Sequence, residues 1–123
     1  MKKIMVVDDE ETLRNTVKMV LEPAGYLVSE AVDADDCWEK IQQEKPDLIL
    51  LDIMMPGMKA VDLIKDIKEN PNLRDIKIVY LTAIAGTKKI AAKMEGVVDT
   101  IEKPFKNEEL VEVVKEALSH VVI

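Results

Sequence analysis

Short apolar runs recur along the chain at residues 4–7, 27–29, 48–51, 76–81 and 97–101, and amphipathic stretches of helical length fill the intervals. The first, third and fourth runs are apolar almost without interruption, as expected of strands covered on both faces in a parallel sheet; a strand with one wet face would alternate. Residues 11–21 place Leu13, Val17, Val20 and Leu21 on one face of a helix. Pro23 and Gly25 then close the pattern, since neither sits well in a continuing helix. The other predicted helices are 34–43, with Cys37 and Ile41 inward, 59–69, with Leu63, Ile64 and Ile67, 88–94, and 107–119, with Leu110, Val113, Val114, Ala117 and Leu118. Asn107 reads as the cap of the last helix, with Glu108 and Glu109 as its acidic first turn.

Five strand–helix units joined by right-handed crossovers give an α/β domain, an open twisted parallel sheet with helices on both faces. A closed barrel of eight units is not available. Pro56-Gly57 and Pro71-Asn72 are turn signals inside the domain, and no repeat, low-complexity tract or linker interrupts it. Residues 1–123 are therefore expected to form one domain, with no room for a second catalytic or DNA-binding domain.

Composition narrows the function classes. With 48% hydrophobic and 33% charged residues the chain has the balance of a packed domain and not of a disordered one. Seventeen basic against 24 acidic residues give a net charge of −7, which disfavours direct contact with nucleic acid or anionic membrane and favours cationic partners, metal ions among them. The basic pair Lys2-Lys3 precedes only Ile4-Met5-Val6-Val7 before Asp8, short of the apolar core of about 7–15 residues of a signal peptide. No run approaches the roughly 20 residues that cross a bilayer. The single cysteine, Cys37, can form neither an internal disulfide nor a Cys-rich zinc site. A cytoplasmic location is expected.

The chemistry lies at the strand ends, because ligands of open α/β sheets bind beyond the carboxyl ends of the strands. The first run delivers Asp8 and Asp9, the third Asp52, the fourth Thr82 and the fifth Lys103. Carboxylates gathered at one mouth repel unless a proton or a cation relieves them. Only oxygen donors are offered, so Mg²⁺, or Mn²⁺ or Ca²⁺ in its place, fits better than zinc. Too few carboxylates are present for a full cage, which suits Mg²⁺, an ion that keeps water and shares phosphate oxygens. Lys103 and Thr82 are then placed to hold phosphoryl oxygens, and a carboxylate beside phosphorus can form an acyl phosphate. Singly, each residue has an ordinary role: Asp8-Asp9 a helix cap, Asp52 a strand-exit acid, Thr82 a satisfied hydroxyl, Lys103 a solvated charge. Their conjunction points to a phosphate-receiving site. His120 reads as a helix-end surface residue, and Trp38 and the seven methionines as packing.

These residues carry a resemblance that covers essentially the whole chain. Ile4-Met5-Val6-Val7-Asp8-Asp9-Glu10, Pro46-Asp47-Leu48-Ile49-Leu50-Leu51-Asp52-Ile53-Met54-Met55-Pro56-Gly57, Leu81-Thr82-Ala83 and Lys103-Pro104-Phe105 stand in the order and spacing of response-regulator receiver domains of two-component signalling. The sequence is similar to the single-domain chemotaxis regulators. The resemblance implies a flavodoxin-like doubly wound sheet of order 2-1-3-4-5. It implies Asp52 as phosphoacceptor, attacking a phosphohistidine of a sensor histidine kinase or phosphotransfer protein, or a small donor such as acetyl phosphate. Mg²⁺ would be held directly by Asp9, Asp52 and the Met54 backbone carbonyl, with Asp8 acting largely through water. Thr82 and the Ala83 amide would hold phosphoryl oxygens, Lys103 would pair with the phosphoryl group, and the Lys103-Pro104 bond would be cis. The implied role is a regulatory switch and not an enzyme, acting on a partner protein through the face formed by residues 88–94, 97–101 and 107–119.

Three departures bear on that role. Thr100 stands where many members place an aromatic switch residue, so transmission to the last helix and strand must differ. Met54 and Ile84, which flank the phosphorylation site, offer no group to orient an attacking water, so a long-lived phosphoryl group is expected. The stretch between Thr82 and Gly96 is about one residue shorter than in several members, and the helix there is expected to be short or mobile. Other readings remain. The chain would signal differently if it were a receiver excised from a longer regulator, which the apolar Val121-Val122-Ile123 leaves open. An aspartyl phosphatase of the haloacid-dehalogenase type fits less well, since Asp8 and Asp9 are adjacent and no cap segment is present. A nucleotide site lacks both glycine-rich signatures, and an unphosphorylated pseudo-receiver is disfavoured by the intact acids, Thr82 and Lys103.

Overall fold

A computed structural model of the chain describes residues 1–53, 60–83 and 96–119. Five strands, β1 (Lys3–Val7), β2 (Leu27–Ala31), β3 (Leu48–Asp52), β4 (Lys77–Thr82) and β5 (Val97–Glu102), alternate with α1 (Glu11–Leu21), α2 (Ala34–Gln43), α3 (Ala60–Glu69) and α4 (Asn107–Leu118). All strand pairs are parallel and the order is β2-β1-β3-β4-β5, the flavodoxin-like doubly wound arrangement. The expected helix at 88–94, the Pro56-Gly57 turn, the first residue of the helix expected at 59–69, His120 and Val121-Val122-Ile123 lie outside the described residues.

Sheet side chains alternate between two cores. Met5, Val7, Ile49, Leu51, Ile78 and Tyr80 meet Cys37 and Ile41 of α2 and Leu63, Ile64 and Ile67 of α3. Ile4, Val6, Leu48, Leu50, Val79 and Leu81 meet Val17 and Leu21 of α1 and Leu110, Val114 and Ala117 of α4. This is why the interior strands read as unbroken apolar runs: β3 is buried at every position, whereas the edge strand β2 alternates down to Ala31. Trp38 packs against the first core as expected, but Met19 is 76% exposed and fills no gap.

The ends of α1 and α4 show local chemistry at work. Past α1, Tyr26 N–H bonds the Leu21 carbonyl and Gly25 N–H bonds the Glu22 carbonyl, a Schellman pair made possible by Gly25 at φ +102°. The expectation for Asn107 is corrected: Lys106, in extended conformation and without a side-chain bond, occupies the cap, and Asn107 is the first helical residue. Glu108 and Glu109 do form the acidic first turn.

Register then levels the strand ends. Val7 lies beside Leu51, Asp52 beside Leu81, and Thr82 beside Glu102. Asp8, Asp52, Thr82 and Lys103 therefore emerge at one edge of the sheet.

Candidate functional site

Asp8 and Thr82 are fully buried, Asp52 is 5% exposed, and Asp9 and Ala83 are exposed at the rim. One carboxylate oxygen from each of Asp8, Asp9 and Asp52 lies within 4.8 Å of the other two. Lys103 approaches from β5, with Nζ 2.8 Å from Asp8 Oδ2 and 3.6 Å from Asp52 Oδ2. Met54 and Ile84 lie outside the described residues. The other sequence-predicted site residues thus converge, from four strand ends.

The backbone sets this geometry. Asp8 N–H continues the β1–β2 ladder to the Ala31 carbonyl, and its Oδ1 accepts the Glu10 N–H, so the first carboxylate is held on both sides of its Cα. It does not cap α1, whose cap position is Glu10 and carries no side-chain cap bond. Lys103 N–H donates to the Thr82 carbonyl, and the Lys103-Pro104 bond is cis, as the resemblance implies.

Burial would lower the affinity of the Lys103 ammonium for its proton. The Asp8 hydrogen bond, followed by the charges of Asp52, Asp8 and Glu10, outweighs it, and Lys103 is held above its ordinary range. One ammonium against three carboxylates leaves a formal shortfall of two positive charges. That donor set, all oxygen and deficient by two charges, fits a hard divalent cation.

Two features were not read from the sequence. Arg14 of α1 donates from Nη1 to the Asp8 carbonyl at 2.9 Å and from Nε to Glu30 of β2 at 3.2 Å. Its position on the partly inward face of α1 hints at this, but the partner carbonyl has no signature in a side-chain pattern. The burial of Thr100, which stands where many members carry an aromatic, is the other: the residue is 2% exposed and paired in register with Tyr80. Its hydroxyl has no hydrogen-bond partner among the described residues.

Comparison with known proteins agrees with the fold. The response regulator receiver domain family matches residues 4–115. The chain is 38% identical over 121 residues to the phosphate regulon transcriptional regulatory protein PhoB of Escherichia coli (strain K12), covering 98% of this chain and 53% of that protein. It thus spans about half the length of the curated relatives it matches. Among solved structures, the chemotaxis protein CheY4 of Vibrio cholerae superposes with a TM-score of 0.85 at 30% identity, covering 95% of this chain and 98% of that one. The response regulator protein TrrA of Thermotoga maritima, in complex with Mg(2+)-BeF, does so with a TM-score of 0.82 at 32% identity, covering 95% and 99%. By sequence and by fold, the chain belongs to the response regulator receiver domain family of two-component systems.

Proposed function

We propose that residues 1–123 form a single receiver unit that takes a phosphoryl group from a sensor histidine kinase or phosphotransfer protein onto Asp52, with Mg²⁺, and signals through a partner protein. The observation that carries this reading is the meeting of Asp8, Asp9 and Asp52 within 4.8 Å, with Lys103 among them. The complex of the Thermotoga relative with Mg(2+)-BeF supports it.

In this reading an Asp52 carboxylate oxygen attacks phosphorus; the oxygen–phosphorus bond forms as the bond to the donor imidazole breaks, and its electron pair leaves with the imidazole. Asp9, Asp52 and the Met54 carbonyl would hold Mg²⁺, with Asp8 acting largely through water. When bound, the ion would supply charge neutralisation at the phosphoryl oxygens. Lys103, kept charged by Asp8, pairs with one phosphoryl oxygen, and the Thr82 hydroxyl and Ala83 amide donate to others. The added negative charge biases the face that includes β5 and α4 toward an effector. This makes the chain a regulatory phosphoacceptor and not a turnover enzyme, working in the cytoplasm without contacting nucleic acid itself. The longer PhoB relatives are transcriptional regulators by name, and a receiver joined to such an output domain would work through the same face.

The test is intact-mass measurement after incubation with Mg²⁺ and acetyl phosphate. We expect one phosphoryl adduct in the wild type and none in Asp52→Asn. Multiple-turnover phosphate release without an adduct would favour a phosphatase, and no response a pseudo-receiver. With apolar residues two positions after Asp52 (Met54) and after Thr82 (Ile84) in the sequence, we predict slow loss of the adduct; polar substitution of both should accelerate it, and unchanged decay would count against the idea.

A further inference from the structure

We infer that Arg14 is a positioning residue for the metal-binding pair Asp8 and Asp9, acting through the peptide that joins them. The inference rests on the metal-binding reading given above.

β1 ends at Val7. The Asp8 N–H still belongs to the sheet, bonded to the Ala31 carbonyl, but the Asp8 carbonyl has turned away and accepts Arg14 Nη1 at 2.9 Å. That oxygen lies in the same rigid plane as the Asp9 nitrogen and Cα. Fixing it fixes the Asp9 N–Cα bond, and with the next peptide held at the Glu10 N–H by Asp8 Oδ1 the direction in which the Asp9 side chain leaves the backbone is set. Asp8 is fully buried and its carboxylate is bonded on both oxygens, to Glu10 N–H and Lys103. Asp9 is exposed, and no hydrogen bond or ion pair among the described residues holds its carboxylate. Among the described residues Asp9 is held only through its two flanking peptides, one fixed by Arg14 at the Asp8 carbonyl and the other by Asp8 Oδ1 at the Glu10 N–H, and Arg14 is the anchor that comes from outside this acidic segment.

Electrostatics alone would place no guanidinium here, since a cation beside the site repels a divalent ion. The structure offsets that charge in part: Arg14 Nε meets Glu30 Oε1 at 3.2 Å, a carboxylate shared with Lys18 at 3.6 Å, and the Arg14 side chain is only 12% exposed. Glu30 sits on β2, two positions before Val32, whose N–H is bonded to Asp36 of α2. The fork of the guanidinium thus spans a fixed strand and the carbonyl it must hold. Outer partners of this kind typically change metal affinity by about 10–100-fold when removed.

The two explanations predict opposite signs. If Arg14 matters only as a charge, Arg14→Met should bind Mg²⁺ more tightly and Arg14→Lys should be neutral. If it positions Asp9, both should bind more weakly. Calorimetric titration of the folded full chain with MgCl₂ reads this directly, without any phosphodonor. We expect roughly tenfold weaker binding for Arg14→Met, a smaller loss for Arg14→Lys and for Glu30→Gln, and a double variant Arg14→Met/Glu30→Gln no weaker than Arg14→Met alone. Melting temperatures in EDTA separate a general loss of stability from the effect on affinity. Unchanged or tighter Mg²⁺ binding in Arg14→Met and Arg14→Lys would overturn the positioning role while leaving the metal reading intact. A wild-type chain that binds no Mg²⁺ would overturn both.

Discussion

At the scale of single residues, two buried polar groups at the mouth of the sheet are treated in opposite ways. Asp8 has all the partners a buried carboxylate requires, whereas the Thr100 hydroxyl, at 2% exposure, has none among the described residues. An unmet buried hydroxyl costs on the order of 1–3 kcal/mol. Thr100→Val keeps the shape and the strand preference and removes that cost, so we expect a gain of about 1 kcal/mol, seen as a higher urea midpoint with an unchanged slope. A lower midpoint would mean that the hydroxyl is satisfied after all. Lys103 gives a pH prediction. Its folded pKa lies above the ordinary 10.5, so its stabilising effect is complete below that value and drains away as pH rises through the folded pKa. Lys103→Met, which leaves Asp8 buried without its cation, should cost about 3 kcal/mol at pH 7. The gap to wild type should narrow as the pH is taken through the raised folded pKa in paired urea titrations; a constant gap would locate the loss in packing instead.

At the scale of elements, what the sequence made legible is what local physics controls. The periodicity of Val17, Leu21, Cys37 and Ile41 places α1 and α2 at their observed limits. The same reading fails at Asn107, because a good capping residue is no help when the chain enters the helix one residue earlier, in extended form at Lys106. Strand edges show a similar limit: β2 runs on to Ala31, past its apolar signal, because pairing with β1 supplies the hydrogen bonds regardless of side chain. Gly96 tests how β5 is joined to α3. It has φ +92°, and a Cβ there would lie 2.9 Å from Lys68 Cε and 3.2 Å from Ile64 Cγ2. Lys68 cannot swing away freely, since its Nζ bonds the Arg74 and Ile76 carbonyls. Gly25 has similar backbone geometry with open space around it. Gly25→Ala should therefore cost only the backbone strain of about 1–2 kcal/mol, and Gly96→Ala measurably more. Equal losses by chemical denaturation would mean that the contact with Lys68 is soft.

At the scale of the whole molecule, stability and function oppose each other at one edge. Two cores of buried aliphatic side chains, each side chain contributing about 1.5–3 kcal/mol, hold four strand ends in register and so press Asp8, Asp9 and Asp52 together. Relief of that repulsion should be visible in bulk. Asp9→Asn is expected to melt higher than wild type in EDTA, and to lose most of the rise in melting temperature that Mg²⁺ gives the wild type. A wild-type melting temperature indifferent to Mg²⁺ would remove the basis for the proposed metal site.

The sequence by itself determined the fold class, the five strands and the identity of the polar residues at their ends, because period, burial and strand-exit chemistry are written in neighbouring residues. Tertiary structure alone decided that Lys103 lies 2.8 Å from Asp8, that Arg14 reaches the Asp8 carbonyl, and that the buried Thr100 hydroxyl has no hydrogen-bond partner among the described residues. Those contacts join positions far apart in the chain or pass through backbone atoms, and no pattern of side chains encodes a distance across a sheet.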